Sequence, residues 1–211
     1  MKIFTKFLAV TIAASAFAFA GAASAQEAPD ALVKRISSEV LDTARSDKDI
    51  QAGNNNRIMQ LVEQKVLPYV DFEHMTRLAA GRFWRQATPD QQMQLITEFR
   101  SLLVYTYAGA LSQVRDQKIE FKPLRAAATD TDVEVNSQVI SSRGGEPIQI
   151  SYRLEKKGDG WKLYDVNVLG AWLVEAYKGT FANEINKGGI DGLIKALSDK
   201  NKQLAARAGK K

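Results

Sequence analysis

Three observations in the sequence predict an α+β fold: a four-stranded, curved antiparallel sheet wrapped by helices, enclosing an apolar interior. Apolar residues recur at helical spacing across residues 30–114. From Ile119 to Val168 the period changes to two, as in half-buried strands. After Gly170 helical spacing returns, with Leu173, Val174, Tyr177 and Phe181 on one face. Helices, then a run of strands, then helices is the order of an α+β chain, whereas βαβ units would alternate.

The N-terminus reads as an export signal. Lys2 and Lys6 precede an apolar run from Phe7 to Ala20, and Ala23-Ser24-Ala25 is a small-residue cleavage site. The predicted organisation is therefore a cleaved signal, residues 1–25, and one domain, residues 26–211. Export points to a bacterial periplasm. No later apolar stretch has the length of a transmembrane helix. The chain has no cysteine, so it offers no disulfide framework, lipidated thiol or thiol nucleophile. Formal net charge is +5, and two of those charges sit in the signal. So mild a balance, without a basic stripe, argues against a nucleic-acid partner and allows only a transient contact with anionic lipid surfaces.

The helices follow in order. Residues 30–45 place Leu32, Ile36, Val40 and Leu41 on one face, with Asp30 the expected N-cap. The polar run from Asp47 to Asn56 predicts a loop. Ile58, Leu61, Val62 and Val66 give a second helix that must end near Pro68. Asp71 is the expected cap of a short third helix carrying Met75, Leu78 and Ala79, closed by Gly81. Thr88-Pro89-Asp90-Gln91 combines an N-cap threonine, proline at the first helical position and a capping-box glutamine. The helix it starts is expected to reach Val114. Its apolar residues, Ile96, Phe99, Leu102, Leu103 and Tyr105 among them, cover too much of its circumference for one buried stripe.

Four strands form the predicted meander. Ile119 and Phe121 open the first, before Pro123. Val133, Val135 and Val139 alternate with polar residues in the second, and Ile148, Ile150, Tyr152 and Leu154 in the third. Turns are expected at Arg143-Gly144-Gly145-Glu146 and Gly158-Asp159-Gly160. The fourth strand carries Tyr164, Val166 and Val168, then runs through Gly170 into a helix. An apolar strand face meeting an apolar helix face at a glycine corner makes a wall, either of a core or of a cavity. Gly188-Gly189 splits the last helical segment, and Ile190, Leu193, Ile194 and Leu197 form its docking face.

Few catalytic chemistries survive this inventory. His74 is the one histidine, so cysteine- or multi-histidine zinc sites are excluded and no metal is expected. No G-x-S-x-G elbow, P-loop or G-x-G-x-x-G is present, and no cofactor is implied. The enzymatic alternative is a small-molecule isomerase or hydratase in which Asp165 acts as base and a tyrosine steadies an oxyanion, as in the ketosteroid isomerase pattern. Against it, Asp165 falls out of phase with Tyr164 and Val166, which points to a structural ion pair.

Three motifs resemble the periplasmic phospholipid-shuttle family MlaC, the toluene-tolerance proteins. The first is Val66-Leu-Pro-Tyr-Val-Asp-Phe-Glu-His-Met75 with Ala80-Gly-Arg-Phe-Trp-Arg85. The second is Phe99-Arg100, Leu102-Leu103 and Tyr107. The third is Trp161-Lys162, Tyr164-Asp165-Val166, Val168 and Gly170, then Leu173-Val174, Tyr177-Lys178 and Phe181, then Gly188-Gly-Ile-Asp-Gly-Leu193. The sequence departs from the family pattern at Ala171-Trp172 and Glu175-Ala176. The resemblance implies a nuclear-transport-factor-2-like sheet around a deep apolar cavity. It implies a non-enzymatic carrier of glycerophospholipid between outer and inner membranes, with tails buried and headgroup exposed. The implied partners are an outer-membrane lipoprotein–porin complex and an inner-membrane ABC transporter with an MCE-domain subunit. The residues expected to contact acyl chains are Val133, Val135, Ile150, Tyr152, Val166 and Val168 on the sheet, with Leu103, Tyr105, Leu173, Tyr177 and Phe181 on helices. The segment from Ala171 to Asn186 is the expected moving element.

Overall fold

The computed structural model describes residues 26–208; the expected signal, residues 1–25, lies outside them. Helices α1 (Pro29–Ser46), α2 (Lys48–Gln51), α3 (Asn55–Lys65), α4 (Phe72–Ala80) and α5 (Pro89–Tyr107) come first. Strands β1 (Lys118–Phe121), β2 (Asp132–Ile140), β3 (Ile148–Lys157), β4 (Gly160–Val168) and β5 (Ala171–Trp172) follow, then α6 (Leu173–Ala208). The sheet is an antiparallel meander in sequence order. Among the described residues no helix is long and apolar enough to cross a membrane.

The capping chemistry acts as the sequence suggests at two helices. Thr88 and Gln91 form a reciprocal capping box at α5. The Asp71 carboxylate accepts from His74 N at 2.8 Å at the start of α4, and Gly81 ends that helix at φ 55°. Elsewhere the expectations need correction. Helix α1 begins at Pro29, after Ala28, so Asp30 lies in the first turn rather than at the cap. The polar run after Asp47 is not all loop, because the Asp47 side chain accepts from Asp49 N and Ile50 N and starts the one-turn α2. Helix α5 stops at Tyr107 and continues as 3-10 helix from Ala108 to Gln113, around the weak helix former Gly109. The Gly188–Gly189 break is present: Gly189 sits at φ 70°, and the backbone there is not helical.

The sheet has five strands, not four. Val168 pairs with Ala171, leaving Leu169 and Gly170 as a two-residue turn with φ 53° and 88°. Positive φ at both positions is the type I′ pattern that suits a twisted hairpin. The glycine corner is thus a hairpin with a short fifth strand, and the helix begins two residues later.

A β-bulge in β4 alters the expected facing. Leu154 pairs with Leu163 and Arg153 with Asp165, so Tyr164 is the extra residue. One face then carries Val133 and Val135, Tyr152 and Leu154, and Trp161 and Leu163; α1 packs on it through Leu32 and Val33. Tyr164 turns to the other face and joins the core built by α4, α5 and α6 around Phe99, Phe181 and Leu193. There its hydroxyl donates to Asp132 at 2.8 Å, and its ring stacks on His74 at 4.4 Å. A third cluster, around Ile50, Ile58 and Leu61, joins α1, α2 and α3.

Candidate functional site: an apolar cavity between the first helix and the sheet

Helix α1 packs on the sheet at Leu32 and Val33 and leaves a gap beside them. A cavity of about 170 Å³ remains between helix and sheet. Its roof is Leu32, Val33, Ile36, Ser37 and Val40; its floor is Tyr152, Leu154 and Leu163. Val66, Tyr69 and Val70, from the turn after α3, close one side. That turn is built by Pro68, which ends α3 and starts a 3-10 segment. It is stitched to β4 by a hydrogen bond from Asp71 N to Leu163 O, 2.8 Å. The lining is apolar apart from Ser37 and the Tyr152 hydroxyl. Ser137 Oγ donates to that hydroxyl at 3.5 Å and Ser37 also hydrogen-bonds to it; burial pushes its pKa above the usual phenol range, against those two bonds.

Charged side chains fasten α1 over the cavity from outside. Arg35 lies 5.2 Å from the centre of the Tyr69 ring, steadied by Glu27, just ahead of α1, at 2.8 Å. Glu39 pairs with Lys65 of α3 at 2.9 Å. All four ionic groups are a third or more exposed, so each pair contributes little to stability.

The structure brings the six expected sheet residues onto one face and sets the five expected helical residues elsewhere. Tyr152 lines the cavity, and Val133 and Val135 are buried in the cluster beside it. Ile150, Val166 and Val168 continue the same face and are half-buried. On the helices, Leu103, Tyr177 and Phe181 lie in the separate core of α4–α6, where Phe99 meets Tyr177 and Phe181, each with ring centres 5.0 Å apart. Burial pushes the Tyr177 phenol up to about 12. Leu173 is half-buried at the start of α6, and Tyr105 lines an outer groove with Met59 and Ala108. The cavity's own roof was legible only as the apolar stripe of α1. Leu163 was masked by the bulge.

The carboxylate–tyrosine pair of the enzymatic alternative lies on the opposite face. Asp165 is 2% exposed and accepts from Val166 N (2.9 Å) and Val174 N (3.0 Å), with Arg153 at 3.9 Å. It fastens the first turn of α6 to the sheet; burial raises its pKa, against those two hydrogen bonds. Asp71, His74 and Glu155 bring three ligand-type atoms within 4.8 Å. Lys157 Nζ stands 2.8 Å from Glu155 and 3.4 Å from Asp71, where a bound cation would meet a charge of its own sign.

Comparison with known proteins decides the family. The family model described as MlaC protein matches residues 34–199. The chain belongs to the MlaC family. Among solved structures it is similar to the phospholipid-binding protein from Ralstonia solanacearum, in complex with a phospholipid: 50% identity, TM-score 0.79, covering 83% of this chain and 98% of that one. The intermembrane phospholipid transport system binding protein MlaC of Haemophilus influenzae is 23% identical over 199 residues, 93% of each chain. A toluene tolerance protein of Pseudomonas putida is 24% identical over 168 residues, 79% of this chain and 77% of its own. The mixed helix and antiparallel-sheet architecture is thus that of a phospholipid-binding MlaC relative.

Proposed function

We propose that this MlaC-family chain is a periplasmic, non-enzymatic carrier of glycerophospholipid between the outer and inner membranes. It holds the acyl tails against the sheet beneath α1 and leaves the headgroup in solvent. The observation that carries this reading is the apolar cavity between α1 and the sheet, in a chain half identical to a phospholipid-bound relative.

The energetics fit a carrier. Each methylene is worth about 0.8 kcal/mol against water, so two tails with about thirty methylenes would cost roughly 25 kcal/mol to expose. A wall about as apolar as a bilayer keeps loading and unloading nearly balanced. The cavity of 170 Å³ is below the roughly 300 Å³ of even a small ligand pocket, so it must widen to admit a lipid. Helix α1 is the cover: the exposed Glu39–Lys65 pair that ties it to α3 breaks at little cost, and the apolar surface of Leu32 and Val33 that opening uncovers is covered again by the entering tails. It takes the place of the Ala171–Asn186 segment as the element expected to move, because Asp165 fastens the first turn of α6. Loading would come from a lipoprotein–porin complex at the outer membrane or an ABC transporter with an MCE-domain subunit at the inner one.

Solvent extraction of the purified protein followed by mass spectrometry tests the reading. One or more diacyl phospholipids per protein is the expected result. No phospholipid, even after delipidation and incubation with vesicles, would refute it.

A further inference from the structure

Four large apolar side chains are exposed among the described residues: Met93, Tyr107, Ile148 and Leu169. The last two lie together at one end of the sheet, where Leu169 N donates to Gln149 O at 3.2 Å. Leu169 is 71% exposed, and it is the single non-glycine residue at positive φ among the described residues. A bulky side chain disfavours φ 53°, which asparagine, aspartate or glycine would adopt at less strain. Burial offers no compensation for a side chain this exposed. The fold alone does not explain a leucine here, and backbone strain at an exposed position is a reason to look for function.

The cavity floor leads to this tip. On one sheet face Leu154 and Leu163 pair at the cavity, then Tyr152 and Val166, then Ile150 and Val168. Exposure rises along β3 from 1% at Leu154 to 42% at Ile148. Six residues of strand span about 20 Å. Cations lie at the same end of the sheet, on its β1–β2 side. Lys122 Nζ is 3.0 Å from the Gln149 side chain on the opposite face, Lys118 starts β1 opposite Ile140, and Arg143 stands in the β2–β3 turn. Of the carboxylates there, Asp116 is engaged by Ser142 and Arg143, Glu120 by Gln138, and Glu146 is exposed.

We propose that the Leu169–Gly170 tip, with Ile148 beside it, enters the surface of an anionic phospholipid bilayer when the carrier exchanges its cargo. The proposal rests on the carrier reading and names the surface that reading leaves open. A two-residue tip is far too small for a protein interface, which buries about 800 Å² per partner. A bilayer needs only an apolar side chain at the acyl boundary and cations at the headgroups.

The chain lacks cysteine, so Leu169→Cys carries a single environment-sensitive fluorophore. Its emission should rise and shift to the blue on vesicles of phosphatidylethanolamine with phosphatidylglycerol, and less on phosphatidylcholine alone. Leu169→Gly should relieve the strain and raise the melting temperature, leave phospholipid affinity unchanged, and slow transfer to acceptor vesicles about tenfold, the factor expected for losing one buried leucine. A structural role alone would not separate stability from transfer in this way. An unresponsive fluorophore with unchanged Leu169→Gly transfer, in a protein that still binds phospholipid, overturns the tip and spares the carrier reading. A response seen only with an added partner protein also overturns it. Insertion by a protein that holds no phospholipid leaves the tip standing and sinks the carrier.

Discussion

Ser37→Phe is expected to strengthen the lipid-free protein and disable it. The space is apolar and open on one side, so a phenyl ring placed in it from position 37 gains by burying its own apolar surface. About 80 Å² at ~25 cal/mol per Å² gives ~2 kcal/mol. Loss of the hydroxyl contact with Tyr152 takes back about 1 kcal/mol. The net gain of ~1 kcal/mol should raise the melting temperature of delipidated protein by about 3 °C. The same ring stands where tails must lie, so phospholipid uptake from vesicles should fall at least about tenfold, because overpacking a filled site costs ~1–3 kcal/mol. Ser37→Ala separates the two terms: it should lower the melting temperature slightly and spare uptake. Full uptake by Ser37→Phe, with no rise in melting temperature, would mean that this space does not take the ligand.

Four further outcomes follow from named contacts. Asp165→Ala leaves Val166 N and Val174 N without their acceptor and should cost about 2–3 kcal/mol in chemical denaturation. Burial raises the folded pKa of Asp165 above the unfolded value near 3.9, so its contribution favours folding below that value and is lost as pH rises through the raised one; Asp165→Asn should flatten this component of melting temperature against pH, and an unchanged profile would contradict it. Gly189→Ala, at φ 70°, should lower stability by about 1 kcal/mol, measured by urea unfolding. Ile150→Lys, on a half-buried wall, should abolish phospholipid binding in a protein that retains its circular dichroism, whereas Val135→Lys, at 1% exposure, should unfold it.

Local chemistry was the most legible part of this fold. Thr88, Gln91, Asp71, Gly81 and the Gly188–Gly189 pair each act through hydrogen bonds or torsions within a few residues, and each element boundary they set is found. Facing was less legible where a non-local pairing intervened. Tyr164 reads as in phase with Val166 and Val168, yet the bulge opposite Arg153 and Leu154 turns it toward α4–α6. For the same reason Leu163 was missed as cavity floor. Of the residues expected on helices, Leu103, Tyr177 and Phe181 pack with Phe99 in the core of α4–α6, while Tyr105 and Leu173 lie outside it. An apolar stripe on a helix reads alike whether it meets side chains or empty space. The cavity roof on α1 therefore carried no mark that set it apart from Phe99 or Phe181.

The central claim is carriage across water, and a two-compartment transfer experiment tests it most directly. Donor vesicles with isotope-labelled phosphatidylethanolamine and unlabelled acceptor vesicles would be separated by a membrane that passes the protein but not the vesicles. Labelled diacyl lipid should reach the acceptors in proportion to protein added, and Ser37→Phe should stop it. Acceptors that stay unlabelled while the protein itself holds phospholipid would contradict the account.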